Sequence, residues 1–427
     1  MIKEVYPLKR VKGELTPPPD KSISHRSAMF ASLADGESLI TNYSPAADPQ
    51  STLQCLKQLG VSWEKSGYDV KIKGVGRDGF SIPESALDCG NSGTTMRLMS
   101  GILAGAGVTC VLIGDESLSA RTMSRIIDPL TAMGCTIEGR DGKFAPLKIG
   151  KHNGVKGLKY PLPIASAQLK SAVLLAGLFG EEPTEVFEKE QSRDHTERLL
   201  GLKSTPNQGG KLIFSSREDT IPVQSYRVPG DFSAAAFWLV AGSIHSESDL
   251  VLKSVGMNPT RTAAMTVMEQ MGAEFKKTNQ KAEGSEPVAD IHITPSELKG
   301  VTVDPLLIPN CIDELPILMV AMCFAEGKSV ISGAGELRHK ETDRLTAMAE
   351  ILQKAGADII EKPDGMVING RPDFRPKSAN YPTWHDHRMA MAAAIMATRS
   401  DEKSQIEDAE CTAISYPNFW DHLYGLS

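Results

Sequence analysis

The 427-residue chain is poor in aromatic side chains (6 %), and it lacks a long apolar run, a paired-cysteine motif and an excess of positive charge. Its apolar stretches, such as Ala234 to Ala241, fall far short of the roughly 20 residues that a membrane span needs. The opening residues Met1-Ile2-Lys3-Glu4-Val5-Tyr6-Pro7 contain no apolar core of signal-peptide length, so no leader is expected. Seven cysteines (Cys55, Cys89, Cys110, Cys135, Cys311, Cys323, Cys411) are an odd number, and none forms CxxC. This usage excludes a disulfide scaffold and points to a reducing, cytoplasmic compartment. The 46 basic and 53 acidic residues give a formal net charge of −7, which argues against an extended nucleic-acid partner. A local basic pocket stays compatible with that balance, because net charge says nothing about distribution. What is present, 41 % hydrophobic and 23 % charged residues, is the composition of a soluble globular protein.

Two phrases recur along the chain. One is the end of an apolar helix, then Gly, then a β-type run. It reads Leu56-Lys57-Gln58-Leu59-Gly60-Val61, and it returns around Gly134, Gly272 and Gly356, with a weaker copy at Gly201. The spacing is about 70 residues, and Gly is expected there because the residue that ends a helix often turns left-handed. The second phrase is a small-residue, mostly apolar helix followed by a turn and a strand, with copies starting near Arg26, Thr94, Gln168, Ser233, Glu314 and Arg388. Such helices lack a broad polar face and read as buried. Six units of two helices and several short strands therefore fill the chain, and the turn Val228-Pro229-Gly230-Asp231 could separate three from three.

Polar motifs interrupt the apolar helices mainly at their starts. Pro17-Pro18-Pro19-Asp20-Lys21-Ser22-Ile23-Ser24-His25-Arg26 places Lys21, Ser22 and Arg26 at one helix start. Gly90-Asn91-Ser92-Gly93-Thr94-Thr95-Met96-Arg97 is Gly-rich backbone entering a helix, suited to an anion, though it is no P-loop. Ala165-Ser166-Ala167-Gln168 offers neutral hydrogen bonds at a third start. Arg338-His339-Lys340-Glu341-Thr342-Asp343-Arg344 and Trp384-His385-Asp386-His387-Arg388 supply cations and carboxylates at two more, and Asp313 opens another. Each motif alone is also an ordinary capped helix. The His385/His387 pair has no nearby Cys/His partners, so no metal is expected. Their shared position, several helix N-termini carrying cations, points to a small, highly anionic ligand.

At DKSISHR, GNSGTTMR, KETDR and DHRMAM, in that order, the chain resembles the 5-enolpyruvylshikimate-3-phosphate synthases across essentially its whole length. The resemblance implies an α/β fold of two domains, each of three βαβαββ units with buried helices (an inside-out α/β barrel). The domains would be residues 1–20 with 231–427, and residues 21–230, closing on substrates around a central cleft. It implies transfer of the enolpyruvyl group of phosphoenolpyruvate to the 5-hydroxyl of shikimate 3-phosphate, through a tetrahedral adduct that eliminates phosphate. It also implies no metal or organic cofactor, a monomer, and no nucleic-acid or membrane partner. By resemblance, Lys21, Ser22, Arg26, Ser166, Gln168, Arg193, Asp313 and Lys340 bind shikimate 3-phosphate. Lys21, Asn91, Gly93, Arg121, Gln168, Arg344, His387 and Arg388 bind phosphoenolpyruvate. Asp313 is implied as the base toward the 5-hydroxyl, with Glu341 and Lys21 as the proton-transfer pair. Gly93 leaves room beside phosphoenolpyruvate, so glyphosate sensitivity is expected.

Departures from the family pattern mark the second bacterial subgroup. Ser166-Ala167-Gln168 lacks one hydroxyl, Ser192-Arg193-Asp194-His195-Thr196-Glu197-Arg198 replaces a Ser/Tyr-containing segment, and Glu336 and Ile414 stand where some members carry Asn and Lys. The related UDP-N-acetylglucosamine enolpyruvyl transferases carry a cysteine five residues before the loop arginine, where this chain has Glu116 before Arg121. A non-catalytic, phosphometabolite-binding paralogue is expected to have lost Asp313, Glu341 or Lys21, and all three are present.

Overall fold

The computed structural model describes residues 1–426, a mixed α/β chain that separates into two compact units. One is Met1–Pro18 together with the chain from Pro229 onward; the other is Pro19–Val228. Each has its own hydrophobic core.

The second unit contains three four-stranded sheets of one design. In each, a first strand runs parallel to the second, and the remaining two pairings are antiparallel. The sheets are Leu87–Asp88, Cys110–Ile113, Phe144–Gly150 and Thr136–Arg140; Lys159–Pro161, Thr184–Glu188, Gly210–Ser215 and Ser204–Asn207; and Ser225–Arg227, Glu37–Thr41, Asp69–Lys73 and Ser62–Ser66. In the third sheet the parallel strand comes from the far end of the unit, so the chain closes on its own start. The first unit repeats the four-stranded order once, as Lys12–Leu15, Asp249–Gly256, Glu286–Ile293 and Phe275–Glu283. It adds two three-stranded sheets.

Beneath the sheets lie the small-residue helices. Phe232–Ile244, Leu315–Cys323 and His387–Ala397 are buried over their full length. Lys21–Leu33, Gly93–Ala106 and Ala167–Gly177 are buried apart from their first turns and a few flanking residues. A helix with no polar face must be covered on every side, so the apolar helices fill the interior and the two-faced strands form the shell. All the phrase-ending glycines, Gly60, Gly134, Gly201, Gly272 and Gly356, take positive φ, as expected from their place after a helix. Among the described residues no single helix is long and apolar enough to cross a membrane.

Small residues set the helix spacing. A Cβ at Gly101 would lie 2.3 Å from the Ala172 carbonyl oxygen, and one at Gly105 would lie 3.0 Å from the Ala176 Cα. Helices Gly93–Ala106 and Ala167–Gly177 therefore meet backbone to backbone, which places their polar N-termini side by side. Gly101→Ala is expected to force them apart at a cost of about 1–3 kcal/mol. Calorimetry should show a lowered Tm, and an unchanged Tm would contradict this account of the packing.

Candidate active site

In the Pro19–Val228 unit, three helix starts carry the expected residues. Asp20 caps Lys21–Leu33, its carboxylate accepting from Ile23 N at 2.8 Å. Lys21 Nζ pairs with Asp48 at 3.0 Å. Arg26 is buried and fixed at three nitrogens: Nε donates to Thr196 Oγ1 (2.9 Å), Nη2 to Ser171 Oγ (3.1 Å) and Nη1 to the Ser22 carbonyl (3.2 Å). On the same helix His25 is fully buried, and burial, then the charges of Lys21 and Arg26, push its imidazole well below the usual range. Its Nδ1 lies 2.7 Å from Thr52 Oγ1, which in turn lies 2.8 Å from Thr95 Oγ1. Thr95 donates to Ser92 Oγ, the cap of Gly93–Ala106. A chain of hydroxyls thus ties the Lys21 helix to the Gly93 helix.

At the second start, Arg121 Nη2 donates to Asn91 Oδ1 at 2.9 Å, and Asn91 Nδ2 donates to Asp115 at 2.8 Å. A Cβ at Gly93 would lie 2.7 Å from Arg97 Nη1 and 3.6 Å from Arg121 Nη1. Glycine here lets two guanidinium groups approach the backbone. Arg97 Nη1 donates to Gln168 Oε1 (2.7 Å) and Gln168 Nε2 to Thr94 Oγ1 (2.9 Å), which joins the second start to the third. Ser166 caps that third helix, accepting from Leu169 N at 3.4 Å. Arg193 is half-buried in the segment just before helix His195–Leu200.

In the other unit the centre is Arg344, 1 % exposed. Its Nε donates to Asp386 at 2.8 Å, Nη2 to Glu341 at 2.6 Å, and Nη1 reaches Asp313 at 3.3 Å. Burial opposes the guanidinium charge, but Asp386, then Glu341 and Asp313, overcome it and raise the pKa above its already high value. Lys340 Nζ meets the same Asp313 oxygen at 3.1 Å. Arg388 Nη1 donates to the Asp313 carbonyl at 2.8 Å, while its backbone N–H donates to Asp386, the cap of His387–Ala397. Trp384 and His385 hold positive φ (50° and 57°), a sparsely populated geometry that turns the chain sharply ahead of Asp386. His387 is buried in the first helical turn, whereas His385 is exposed and faces Asp408 at 3.5 Å.

Direct contacts thus join Arg26 to Ser22 and Arg121 to Asn91 in one unit, and in the other join Asp313 to Lys340, Arg344 and Arg388, with Glu341 on Arg344. Sequence reading missed Asp48 as a partner, and although Arg97, Thr196 and Asp386 stand within the quoted motifs, it assigned pairings neither to them nor to Ser171 and Glu314. Glu314 is fully buried, accepts from Ser233 Oγ and lies 3.8 Å from Arg388 Nη1. The missed carboxylates change the electrostatic picture. In each unit the cations are not bare: Lys21 pairs with Asp48 in one, and in the other Lys340, Arg344 and Arg388 are interleaved with carboxylates and a carbonyl.

Comparison with known proteins identifies the family. Residues 5–423 match the family model described as EPSP synthase (3-phosphoshikimate 1-carboxyvinyltransferase). The 3-phosphoshikimate 1-carboxyvinyltransferase of Salinibacter ruber is 46 % identical over 431 residues, covering 100 % of both chains. The enzyme of the same name from a Synechococcus strain is 47 % identical over 424 residues, covering 97 % of this chain and 96 % of that one. Among solved structures, an EPSP synthase from Acinetobacter baumannii superposes with a TM-score of 0.88 at 40 % identity, covering 100 % of this chain and 98 % of that one. The enolpyruvyl transferase NikO from Streptomyces tendae shares the fold (TM-score 0.77, 13 % identity, covering 100 % and 97 %). Full-length matches at this identity, on a chain whose site residues gather as described, establish that it belongs to the EPSP synthase family.

Proposed function

We propose that the two residue clusters carry the family's reaction here, the transfer of the enolpyruvyl group of phosphoenolpyruvate to the 5-hydroxyl of shikimate 3-phosphate. The reading rests chiefly on the knot of Asp313, Lys340, Glu341 and Arg344, two carboxylates and two cations within 3.3 Å contacts. Asp313 takes the proton of the attacking hydroxyl as oxygen bonds to C2 of phosphoenolpyruvate. Glu341 and Lys21 move the proton at the methylene carbon and assist the departing phosphate. Lys21, Asn91, Gly93, Arg121, Gln168, Arg344, His387 and Arg388 hold phosphoenolpyruvate. Lys21, Ser22, Arg26, Ser166, Gln168, Arg193, Asp313 and Lys340 hold shikimate 3-phosphate. Preset cations stabilise the charged adduct without reorganising in the transition state. Lys340 and Arg344 can add a substrate anion to their present carboxylate contacts, since an ammonium carries three donors and a guanidinium five.

The shared strand order of the four-stranded sheets supports reading the chain as six βαβαββ units, three in each half, with the helices inside. The enzyme works as a cytoplasmic monomer without metal or organic cofactor.

Phosphate release measured with both substrates tests the reading directly. Turnover that requires both substrates is expected, and binding without turnover would contradict it. Glu341→Gln should lower kcat by about 10²–10⁴-fold with a small change in KM, and Asp313→Asn should lower kcat by a similar factor while also raising KM for shikimate 3-phosphate; a loss confined to KM would remove either from proton transfer. Glyphosate should inhibit competitively with phosphoenolpyruvate, and Gly93→Ala, whose methyl displaces the Arg97 guanidinium, should weaken that inhibition. Full wild-type activity at millimolar glyphosate would overturn the expectation.

A further inference from the structure

Lys170 stands out in the helix Ala167–Gly177: the one charged residue of that helix, with no exposure. Its Nζ lies 3.0 Å from both Glu188 carboxylate oxygens and 2.7 Å from Glu197 Oε1. Burial opposes its charge, but Glu197 and Glu188 outweigh that cost and hold it as an ammonium. Glu188 ends a strand and also accepts from Ser192 N at 2.7 Å and from Ser192 Oγ. Glu197 belongs to helix His195–Leu200. One buried cation therefore fastens both ends of the segment Ser192–Glu197, which carries Arg193 between them.

The residue after Lys170 and the residue before Glu197 form a second layer. Ser171 Oγ lies 2.7 Å from Thr196 Oγ1, and Arg26 donates to both, from Nη2 at 3.1 Å and from Nε at 2.9 Å. Thr196 Oγ1 thus sits where a helix start, a buried helix and the Arg193 segment meet, and its position fixes the plane of the Arg26 guanidinium. A planar donor fork recognises a phosphate only when its plane is set.

We propose that Thr196, held in place by the Lys170–Glu188–Glu197 triad, is a positioning residue that orients Arg26, and with it the Arg193 segment, for the phosphate of shikimate 3-phosphate. The proposal rests on the assignment of Arg26 and Arg193 to that substrate. The triad sets the segment, the segment sets Thr196, and Thr196 and Ser171 together set the guanidinium. Without Thr196 Oγ1 the guanidinium keeps Ser171 and the Ser22 carbonyl but loses the Nε bond that sets its plane, so its remaining donors meet the phosphate misaligned.

Steady-state kinetics with each substrate varied in turn tests this on Thr196→Val, Thr196→Ser, Lys170→Met and Arg26→Ala. Thr196→Val should raise KM for shikimate 3-phosphate about tenfold while changing KM for phosphoenolpyruvate and kcat far less, and Thr196→Ser should restore it. Lys170→Met should shift the same KM in the same direction. Should that variant fail to fold, as a thermal melt would reveal, the Thr196 pair decides alone. An unchanged KM for shikimate 3-phosphate in Thr196→Val, or a parallel change in both KM values, overturns the proposal. If Arg26→Ala also leaves that KM unchanged, the assignment of Arg26 itself is wrong; if Arg26→Ala raises it and Thr196→Val does not, only the positioning role fails.

Discussion

A guanidinium cannot shed its proton inside a protein, so burying Arg344 obliges the fold to bring carboxylates to it. Asp386, Glu341 and Asp313 answer that demand at 2.8, 2.6 and 3.3 Å. The rest of the cluster follows. Asp386 also caps His387–Ala397 and holds the Arg388 backbone, and Arg388 returns to the Asp313 carbonyl. Removing the arginine would leave three carboxylates facing one another. Removing Asp386 would free the guanidinium to draw Glu341 and Asp313 from their places. Charge balance in a dry interior is thus the constraint that positions the two carboxylates assigned to proton transfer.

The other unit solves the equivalent problem with hydroxyls. His25, Thr52, Thr95 and Ser92 link two helix starts, and Arg26, Ser171 and Thr196 link the third. This is possible because the helices bearing these groups are packed through glycine and alanine. Gly101 against Ala172 brings backbones together, and only at that spacing can short side chains such as Thr94 and Gln168 reach across. Small residues in the core and short polar residues at the helix ends are two parts of one arrangement. At these helix starts Arg26, Arg97 and Arg121 are held by hydroxyl, amide and carbonyl oxygens, whereas Lys340 and Arg344 in the other unit meet carboxylates.

Much of the architecture was legible in the sequence because it depends on local rules. The phrase-ending glycines mark helix ends through their positive φ, and the Ala-rich stretches mark buried helices because no polar face breaks them. The repeat puts one such helix near Arg26, while the motif itself offers Asp20 or Ser22 as the cap of a helix from about Ile23; the helix begins at Lys21, with Asp20 as the cap. A polar side chain at a helix start reads equally well as a cap, which Asp20, Ser92 and Ser166 prove to be, so candidate site residues could be named only through the resemblance carried by DKSISHR, GNSGTTMR, KETDR and DHRMAM. Their pairings could not. Asp48 lies 27 positions from Lys21 and Asp386 lies 42 from Arg344, and such pairings are set by tertiary contact rather than by spacing. Lys170 did carry a signal, a lone charge in an apolar helix, but nothing local identifies Glu188 and Glu197 as its counter-charges.

The most direct test of Arg344 as the organiser is a double-mutant cycle on kcat using Asp386→Asn and Glu341→Gln. If Asp386 holds the guanidinium that in turn places Glu341, then Glu341→Gln should cost markedly less in the Asp386→Asn background than in the wild type. The coupling should exceed about 1 kcal/mol. Strictly additive losses would show that the two carboxylates act independently and would contradict the account.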